Sequence, residues 1–308
     1  MTPKTAFLFP GQGSQFAGMG KNLAAEYPVA RAVFEEADAS LGFPLSALCF
    51  EGPEDALKLT ENTQPALLTH SAAAFRVLAE RGFAPDYMAG HSLGEYSALV
   101  AAGCLQFGDA ARLVRQRGRY MQEAVPPGVG AMAALLRLPE GALDGILQQA
   151  AQGEVVSAAN LNAPDQVVIA GHAGAVNRAI ELAKAAGARR AILLQVSAPF
   201  HCALMKPAQE RLAADLNATA FADLSCPLVN NWRGKEVRTG AEARQGLYEQ
   251  VAKPVRWAEC IRYLAAQGVE RFIEVGPGGV LTGLLRSIDT RLQGFRFGDP
   301  GDLEKLSG

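Results

Sequence analysis

The stretch Gly90-His91-Ser92-Leu93-Gly94 has the pattern Gly-x-Ser-x-Gly, which exposes a nucleophilic serine hydroxyl when it joins a strand to a helix. The residues before it predict a short buried strand, and the run that follows, up to Gly103, predicts a helix. In such a turn the amide of Leu93 points to the helix N-terminus, where a developing oxyanion is stabilised. A chance match in a glycine-rich chain is the alternative, but the predicted strand and helix favour a nucleophile elbow at Ser92.

One arginine of the next predicted helix, Asp109 to Ala124 with a cap at Gly108-Asp109, lies on its apolar face. That residue is Arg117. The arginines predicted on the opposite, solvated face are Arg112, Arg115 and Arg119. An inward guanidinium needs an anionic partner, because an unpaired buried charge is very costly. A protein carboxylate and a substrate carboxylate held by a bidentate fork both fit, and the sequence leaves the two open.

Of the four histidines, His201 is best placed to act as a general base for Ser92. It follows a predicted strand at the start of a predicted helix, and helix starts favour the neutral imidazole that a base requires. His91 is held in the elbow, His70 is expected to pack in the core, and His172 is expected in a surface loop. No acid is identified as a third triad member, whereas α/β-hydrolases carry one between serine and histidine. The pattern favours a Ser–His pair oriented by another group.

The elements before the elbow predict an α/β fold. Strand Thr5–Phe9 runs into the glycine loop Pro10–Gln15, which either offers backbone amides to an anion or is an ordinary tight turn. A helix over Leu23–Ala39 follows, and a second one over Ala66–Arg81 begins after Thr63-Gln64-Pro65.

Six elements after Pro126 alternate as β-α-β-β-α-β, the order of a ferredoxin-like unit. They are predicted at Gly130–Leu138, Gly141–Ala151, Val155–Asn160, Gln166–Ala170, Gly174–Ala186 and Arg190–Val196, with a turn at Asn162–Asp165. We therefore expect a ferredoxin-like subdomain at residues 126–198. It is inserted in a large α/β-hydrolase-like catalytic domain made of residues 1–125 and 199–308, to which the chain returns at Ser197–Cys202.

The composition supports a large folded core. Of 308 residues, 49% are hydrophobic and 19% are charged, which argues against disorder. A formal net charge of -2 gives no electrostatic case for nucleic acid or an anionic membrane, and neither a membrane span nor a signal-peptide pattern is found. The five cysteines lack metal-ligand spacing and are expected to be reduced thiols. These features predict a cytoplasmic protein without a metal site.

Seven motifs together resemble the malonyl-CoA:acyl carrier protein transacylases, the acyltransferases that load the carrier in bacterial fatty acid synthesis. They are Phe9-Pro10-Gly11-Gln12-Gly13-Ser14-Gln15, Thr63-Gln64-Pro65-Ala66, Gly90-His91-Ser92-Leu93-Gly94-Glu95, Gln116-Arg117-Gly118, Pro199-Phe200-His201, Pro254-Val255-Arg256-Trp257 and Glu274-Val275-Gly276-Pro277-Gly278. The resemblance covers nearly the whole chain.

The resemblance implies a role for each of several residues. Ser92 is acylated and His201 is its base, and the carbonyl of Gln250 orients His201, which accounts for the missing acid. The main-chain amides of Gln12 and Leu93 form the oxyanion hole.

The resemblance also implies how the acyl group is selected. Arg117 binds the malonyl carboxylate. Asn160 and Asn162 match positions near the cleft between the subdomains, and Phe200 is similar to the residue before the base in many malonyl-selective members.

The implied reaction is ping-pong: Ser92 attacks the malonyl thioester, CoA leaves, and the phosphopantetheine thiol of the carrier takes the acyl group. The thioester carries the activation, so no metal or redox cofactor is expected. The expected partners are malonyl-CoA and acyl carrier protein, and the chain is expected to be a monomer. Arg189 and Arg190 are candidate contacts for an acidic carrier, or an ordinary solvated strand end.

Three other functions stay open from the sequence. The first is a stand-alone acyltransferase of a polyketide synthase or malonate decarboxylase system. The second is a serine esterase or thioesterase, against which the absent acid and the inward Arg117 count. The third is a non-enzymatic interaction module, which an elbow serine that resists acylation would support.

Overall fold

The structure is a computed structural model that describes residues 4–196 and 198–306. Residues 1–3, Ser197 and residues 307–308, which fall within the expected domain limits, lie outside the described residues. Within these ranges the strands are β1 (Lys4–Phe9), β2 (Tyr87–Gly90), β3 (Gly130–Leu136), β4 (Val156–Ala163), β5 (Gln166–His172), β6 (Arg190–Leu193), β7 (Leu228–Val229), β8 (Glu236–Val237), β9 (Val269–Val275) and β10 (Gln293–Phe297).

The α-helices of the same ranges connect these strands. They are α1 (Lys21–Glu26), α2 (Pro28–Leu41), α3 (Leu45–Glu51), α4 (Glu54–Leu57), α5 (Thr60–Glu80), α6 (Leu93–Ala101), α7 (Phe107–Glu123), α8 (Ala142–Ala151), α9 (Ala173–Ala185), α10 (Lys206–Ala218), α11 (Gly240–Gln250), α12 (Trp257–Ala266) and α13 (Val280–Ile288). No helix of the described ranges has the length and apolar character needed to cross a membrane.

The larger sheet has the order β10-β9-β1-β2-β7-β8, and its neighbours are parallel except for the antiparallel pair β7 and β8. Both faces are covered, as the alternation along β1 shows. Phe7 and Phe9 pack into the core on the side of α2, α5 and α6, whereas Ala6 and Leu8 pack on the side of α12 and α13. This is the layered arrangement that a parallel sheet requires, and it forms the α/β-hydrolase-like domain.

The smaller sheet has the order β4-β5-β3-β6 with every neighbouring pair antiparallel. Helices α8 and α9 cover one face through a separate apolar cluster that includes Leu135, Ile146 and Ile169. Two β-α-β units joined in this order form the ferredoxin-like subdomain. The expected fold class is therefore confirmed, whereas the expected limits at 126 and 198 stay predictions.

The single helix expected over Leu23–Ala39 is wrong. Helix α1 ends at Glu26 and α2 begins at Pro28, with Tyr27 extended between them (φ −112°, ψ 114°). A residue before proline is disfavoured in the helical region, and proline is well suited to the first helical position because it needs no N–H there.

Helix α5 begins earlier than expected, at Thr60, and carries Pro65 in its interior. The segment expected to precede the helix is buried, including Thr63 and Gln64. Tertiary packing therefore outweighs the local preference against an internal proline.

Helix α7 begins at Phe107, so Asp109 lies in its first turn and pairs with Arg112 at 2.5 Å instead of capping the helix. The solvated face expected for this helix is largely confirmed, since Arg112 and Arg119 are exposed. Arg115 differs, because it is half-buried with its guanidinium 4.2 Å from the centre of the Phe43 ring.

Several predicted boundaries within the small subdomain differ from the observed ones. Strand β4 runs to Ala163, which pairs with Gln166, so Asn162 belongs to the strand and the hairpin turn contains only two residues. Strand β6 ends at Leu193. His172 is the last residue of β5 instead of a loop residue, and its Nδ1 accepts a hydrogen bond from the Val155 amide at 2.9 Å.

Candidate active site

The elbow is built by close approach of strand and helix. Strand β2 ends at Gly90 and α6 begins at Leu93, with Ser92 between them at φ 51°. A Cβ added to Gly90 would lie 1.9 Å from the Gly94 carbonyl, and one added to Gly94 would lie 2.0 Å from the Phe9 carbonyl oxygen. Only glycine fits at either position, and the strained serine is held at the tip of the turn.

His201 lies where a general base must lie. Its Nε2 is 2.8 Å from Ser92 Oγ, and its Nδ1 is 2.8 Å from the main-chain oxygen of Gln250. Because a carbonyl oxygen only accepts, Nδ1 carries the proton, and Nε2 of the neutral ring is free to accept the hydroxyl proton of Ser92. His201 is in the positive-φ region (58°), just before the short 3₁₀ turn Ala203–Met205.

The electrostatics of the pocket keep this histidine neutral. Burial, followed by the positive charge of Arg117, lowers the pKa of His201 to about 3. The expected neutral imidazole is thus present, but desolvation is the main cause. The Gln250 carbonyl takes the position that an acid takes in a triad. Because Gln250 ends α11, no later turn of this helix takes up its carbonyl.

Arg117 is buried, with 1% of its surface exposed, and reaches the nucleophile. Its Nη2 donates to Ser92 Oγ at 3.0 Å and to Gln250 Oε1 at 2.9 Å, while Nη1 donates to Gln64 Oε1 at 2.8 Å. Within the described ranges no carboxylate oxygen lies within ion-pair distance of this guanidinium. Burial lowers its pKa, but a guanidinium stays charged. Of the two partners left open by the sequence, the protein carboxylate is not found.

The two residues whose amides are expected to form the oxyanion hole, Gln12 and Leu93, line the same cavity as Ser92. Leu93 is the first residue of α6, so its N–H has no acceptor within the helix. Gln12 lies in the loop after β1, which packs tightly on the elbow, since a Cβ on Gly11 would lie 2.4 Å from the His91 carbonyl oxygen. The side chain of Gln12 is held by Thr60 Oγ1 at 3.3 Å.

A cavity of about 410 Å³ opens at Ser92 between the two subdomains. Of the nine residues that the resemblance places at the catalytic and acyl-binding site, eight line it, namely Gln12, Ser92, Leu93, Arg117, Asn160, Asn162, Phe200 and His201. Gln250 is fully buried behind them. A volume of this size is typical of sites for small organic ligands.

The small subdomain contributes Asn160 and Asn162, both from β4. Asn162 Oδ1 accepts a hydrogen bond from His91 Nε2 at 2.8 Å, which links the small subdomain to the elbow. Asn160 pairs with Val255 in an isolated parallel bridge. Phe200, 8% exposed, forms the wall next to the base.

Three buried polar residues of the site were not singled out from the sequence: Gln64, Glu95 and Asn231. Gln64 and Glu95 belong to two of the motifs quoted above, and that membership could have identified them as site residues. Asn231 lies between β7 and β8, outside every quoted motif, so no sequence pattern indicated its role. Asn231 Oδ1 accepts from the Ser92 amide at 2.7 Å, and its Nδ2 donates to the Gly90 carbonyl at 2.7 Å, so this side chain bridges the elbow.

The site combines a Ser–His pair at a nucleophile elbow with a buried guanidinium that has no carboxylate partner in the described ranges. This combination defines a serine enzyme of the acyl-transfer class. The chain belongs to the acyl transferase domain family, which it matches over residues 6–290.

Similar proteins cover nearly the full chain. The malonyl CoA-acyl carrier protein transacylase of Escherichia coli K12 is 52% identical over 296 residues, 96% of each chain. The structure of an acyl carrier protein S-malonyltransferase from Vibrio cholerae is 48% identical with a TM-score of 0.96, covering 98% of this chain and 99% of that one. A malonyl-transacylase solved with the acyl-carrier protein of a type II polyketide synthase is also 48% identical, with a TM-score of 0.96 and 98% of each chain covered.

Proposed function

We propose that this chain transfers the malonyl group of malonyl-CoA to the phosphopantetheine thiol of an acyl carrier protein through an ester on Ser92. The observation that carries the proposal is Arg117, a buried cation 3.0 Å from Ser92 Oγ whose hydrogen-bond partners are neutral oxygens. A malonyl thioester supplies the free carboxylate that such a cation binds. The names of the Escherichia coli relative and of the two solved structures support this substrate pair.

The first half-reaction follows from the contacts of Ser92. His201 Nε2 takes the hydroxyl proton as Ser92 Oγ attacks the thioester carbonyl. The main-chain amides of Gln12 and Leu93 stabilise the resulting oxyanion. When the tetrahedral intermediate collapses, the carbon–sulfur bond breaks and His201 returns the proton to the leaving thiolate of CoA.

The second half-reaction reverses these steps with the thiol of the carrier. His201 takes the thiol proton, the thiolate attacks the ester carbonyl, and the proton returns to Ser92 Oγ as the ester bond breaks. The malonyl carboxylate stays on Arg117, Asn160 and Asn162 line the acyl and pantetheine path, and Phe200 limits the space at the acyl α-carbon. No metal or redox cofactor takes part, since the thioester supplies the activation. The chain acts as a monomer in the cytoplasm.

The decisive experiment is the intact mass of the protein after mixing with malonyl-CoA, followed by addition of a holo carrier. A malonyl adduct that disappears as malonyl-carrier forms supports the proposal. Free malonate released at the same rate with and without carrier would instead indicate a hydrolase, and no adduct would indicate a binding module.

A second pathway uses the same chemistry. The similar malonyl-transacylase that was solved with an acyl-carrier protein of a type II polyketide synthase makes such carriers the second acceptor to test. Comparing the rates of transfer to a fatty acid carrier and to a polyketide carrier separates the two.

A further inference from the structure

Glu95 is a buried carboxyl group at the active site to which the reaction steps above assign no role, and burial raises its pKa to about 7. It lies in the first turn of α6, directly below Ser92, with no exposed surface. Its Oε2 accepts hydrogen bonds from Gln250 Nε2 at 2.8 Å and from the Asn231 amide at 3.0 Å. A buried carboxylate with two donors on one oxygen fixes the position of both donors.

Gln250 is the residue through which Glu95 reaches the reacting groups. Its main-chain oxygen accepts from His201 Nδ1 at 2.8 Å, and its side-chain Oε1 accepts from Arg117 Nη2 at 2.9 Å. One residue therefore holds both the base and the cation of the site. The side chain of Gln250 can accept a hydrogen bond from Arg117 only if its amide oxygen, Oε1, faces the guanidinium.

The direction of that amide is set by the acceptors around its nitrogen. Gln250 Nε2 donates to Glu95 Oε2, and it also lies 3.1 Å from the Ser92 carbonyl oxygen and 3.2 Å from Asn231 Oδ1. Turning the amide over would place Oε1 against three acceptors and an NH₂ group against a guanidinium, leaving buried polar atoms unpaired. The contact with Glu95, at 2.8 Å, is the shortest of the three.

This arrangement holds Arg117 without neutralising it. Gln64 Oε1 and Gln250 Oε1 accept its hydrogen bonds, and the carboxylate of Glu95 lies one amide further away. A carboxylate placed directly on the guanidinium would compete with a substrate carboxylate for the same fork. A neutral amide transmits the orientation and leaves the charge available.

We propose that Glu95 is a positioning residue that acts through the side-chain amide of Gln250 to hold Arg117 where the free carboxylate of the acyl donor binds. This role rests on the proposed function, because it requires an acyl donor that carries a free carboxylate. Its consequence is that Glu95 affects donor selectivity more than the reactivity of Ser92.

The test compares single-turnover acylation of Ser92 by malonyl-CoA and by acetyl-CoA in the wild-type chain and in variants at Glu95. Glu95→Met fills the same space without an acceptor. We expect it to slow malonylation by about tenfold, the effect of losing one buried hydrogen bond, and acetylation much less. Glu95→Gln keeps an oxygen that accepts from Gln250 and should restore malonylation to near the wild-type rate.

Two further variants keep the test decisive. If Glu95→Met does not fold, Glu95→Asp withdraws the acceptor by one methylene and should show the same selective loss. In an Arg117→Ala background, Glu95→Met should leave the ratio of malonylation to acetylation unchanged, because the residue through which it acts is gone.

The outcomes separate this role from the proposed function. If the wild-type chain is not malonylated, the proposed function fails and the role of Glu95 fails with it. If the wild-type chain is malonylated but Glu95→Met slows acylation by both donors equally, only the role of Glu95 is overturned. The same holds if Glu95→Met changes the ratio of malonylation to acetylation in the Arg117→Ala background.

Discussion

The His201 ring and the main-chain oxygen of Gln250 form a contact of 2.8 Å that replaces the acid of a catalytic triad. A carbonyl fixes the tautomer of the imidazole as a carboxylate would, but it carries no negative charge. The nearest strong charge is instead the positive one of Arg117, which lowers the pKa of His201 together with burial. The base is therefore held neutral in the resting enzyme, ready to accept a proton.

Ser92→Ala should abolish the acyl-enzyme while leaving the fold intact. The hydroxyl is the attacking group, and the elbow geometry depends on Gly90, Gly94 and Asn231 instead of on Oγ. Peptide mapping of the malonylated wild-type protein should place the adduct on Ser92. An adduct on one of the buried cysteines would contradict the assignment of the nucleophile.

His201→Ala should slow both half-reactions by about 10²- to 10⁴-fold, the range expected for loss of a general base. The motivation is the 2.8 Å contact between Nε2 and Ser92 Oγ. Single-turnover acylation and transfer measure the two steps, and His172→Ala, at the far end of β5, is the matched control. An unchanged rate in His201→Ala would exclude it as the base.

The acylation rate should fall in acid only at a pH far below the ordinary pKa of histidine. The base works in its unprotonated form, and a pKa of about 3 keeps His201 unprotonated from neutral pH down to strongly acidic pH. Single-turnover acylation by acetyl-CoA should therefore change little between about pH 5 and 8.

The charge of Arg117 provides the control for this pH dependence. Removing it in Arg117→Ala takes away one cause of the lowered pKa, so the acid limb should move to higher pH. A wild-type profile that already falls with the ordinary histidine pKa would show that the ring is more accessible to water than the structure indicates.

Phe200→Ser should improve transfer of a methylmalonyl group relative to a malonyl group. Phe200 lines the cavity beside the base and is almost fully buried, so its removal enlarges the space near the acyl α-carbon. The measurement is the ratio of kcat/KM for the two donors, with Phe200→Leu as a control that keeps most of the volume. If this ratio does not change, Phe200 only packs against its neighbours and does not select the acyl group.

The parts of the site that sequence predicts best are the local ones. The elbow is encoded by adjacent residues around Ser92, and the inward side chain of Arg117 follows from the period of its own helix. The contacts of Gln250 could not be predicted in this way, because 158 residues separate it from Ser92 and only tertiary folding brings its amide to the elbow. The contacts of Asn231 could not be predicted either, because this residue belongs to none of the sequence motifs.

The boundaries that were wrong have a common physical cause. Helix α5 continues through Pro65 because its whole N-terminal part is buried, and packing energy of that kind is not visible in local propensity. The break at Tyr27 is the opposite case. There the residue before Pro28 is restricted by local sterics, a signal that the apolar pattern of the segment concealed.

Arg117→Ala should damage malonyl transfer strongly and acetyl transfer little. The guanidinium is buried and bound by neutral oxygens, so a substrate carboxylate is the partner that its charge lacks, and acetyl has none. Losing one partner of a desolvated charge pair costs about 2 to 5 kcal/mol, or roughly 30- to several thousandfold in rate. Arg117→Lys should restore only part of the activity, since an ammonium cannot make the two-pronged contact.

Carrier acylation from malonyl-CoA and from acetyl-CoA measures this effect, with the melting temperature recorded for each variant. Arg119→Ala is the matched control, because Arg119 lies on the exposed face of the same helix and pairs with Glu123 at 2.8 Å. Arg119→Ala should change the transfer rate from neither donor, because exposed ion pairs contribute little to stability. A loss in Arg117→Ala that is equal for both donors and comes with a large fall in melting temperature would mean that the guanidinium serves the core. In that case its hydrogen bonds to Gln64 and Gln250 would be its purpose, and the carboxylate of the donor would have to be bound elsewhere.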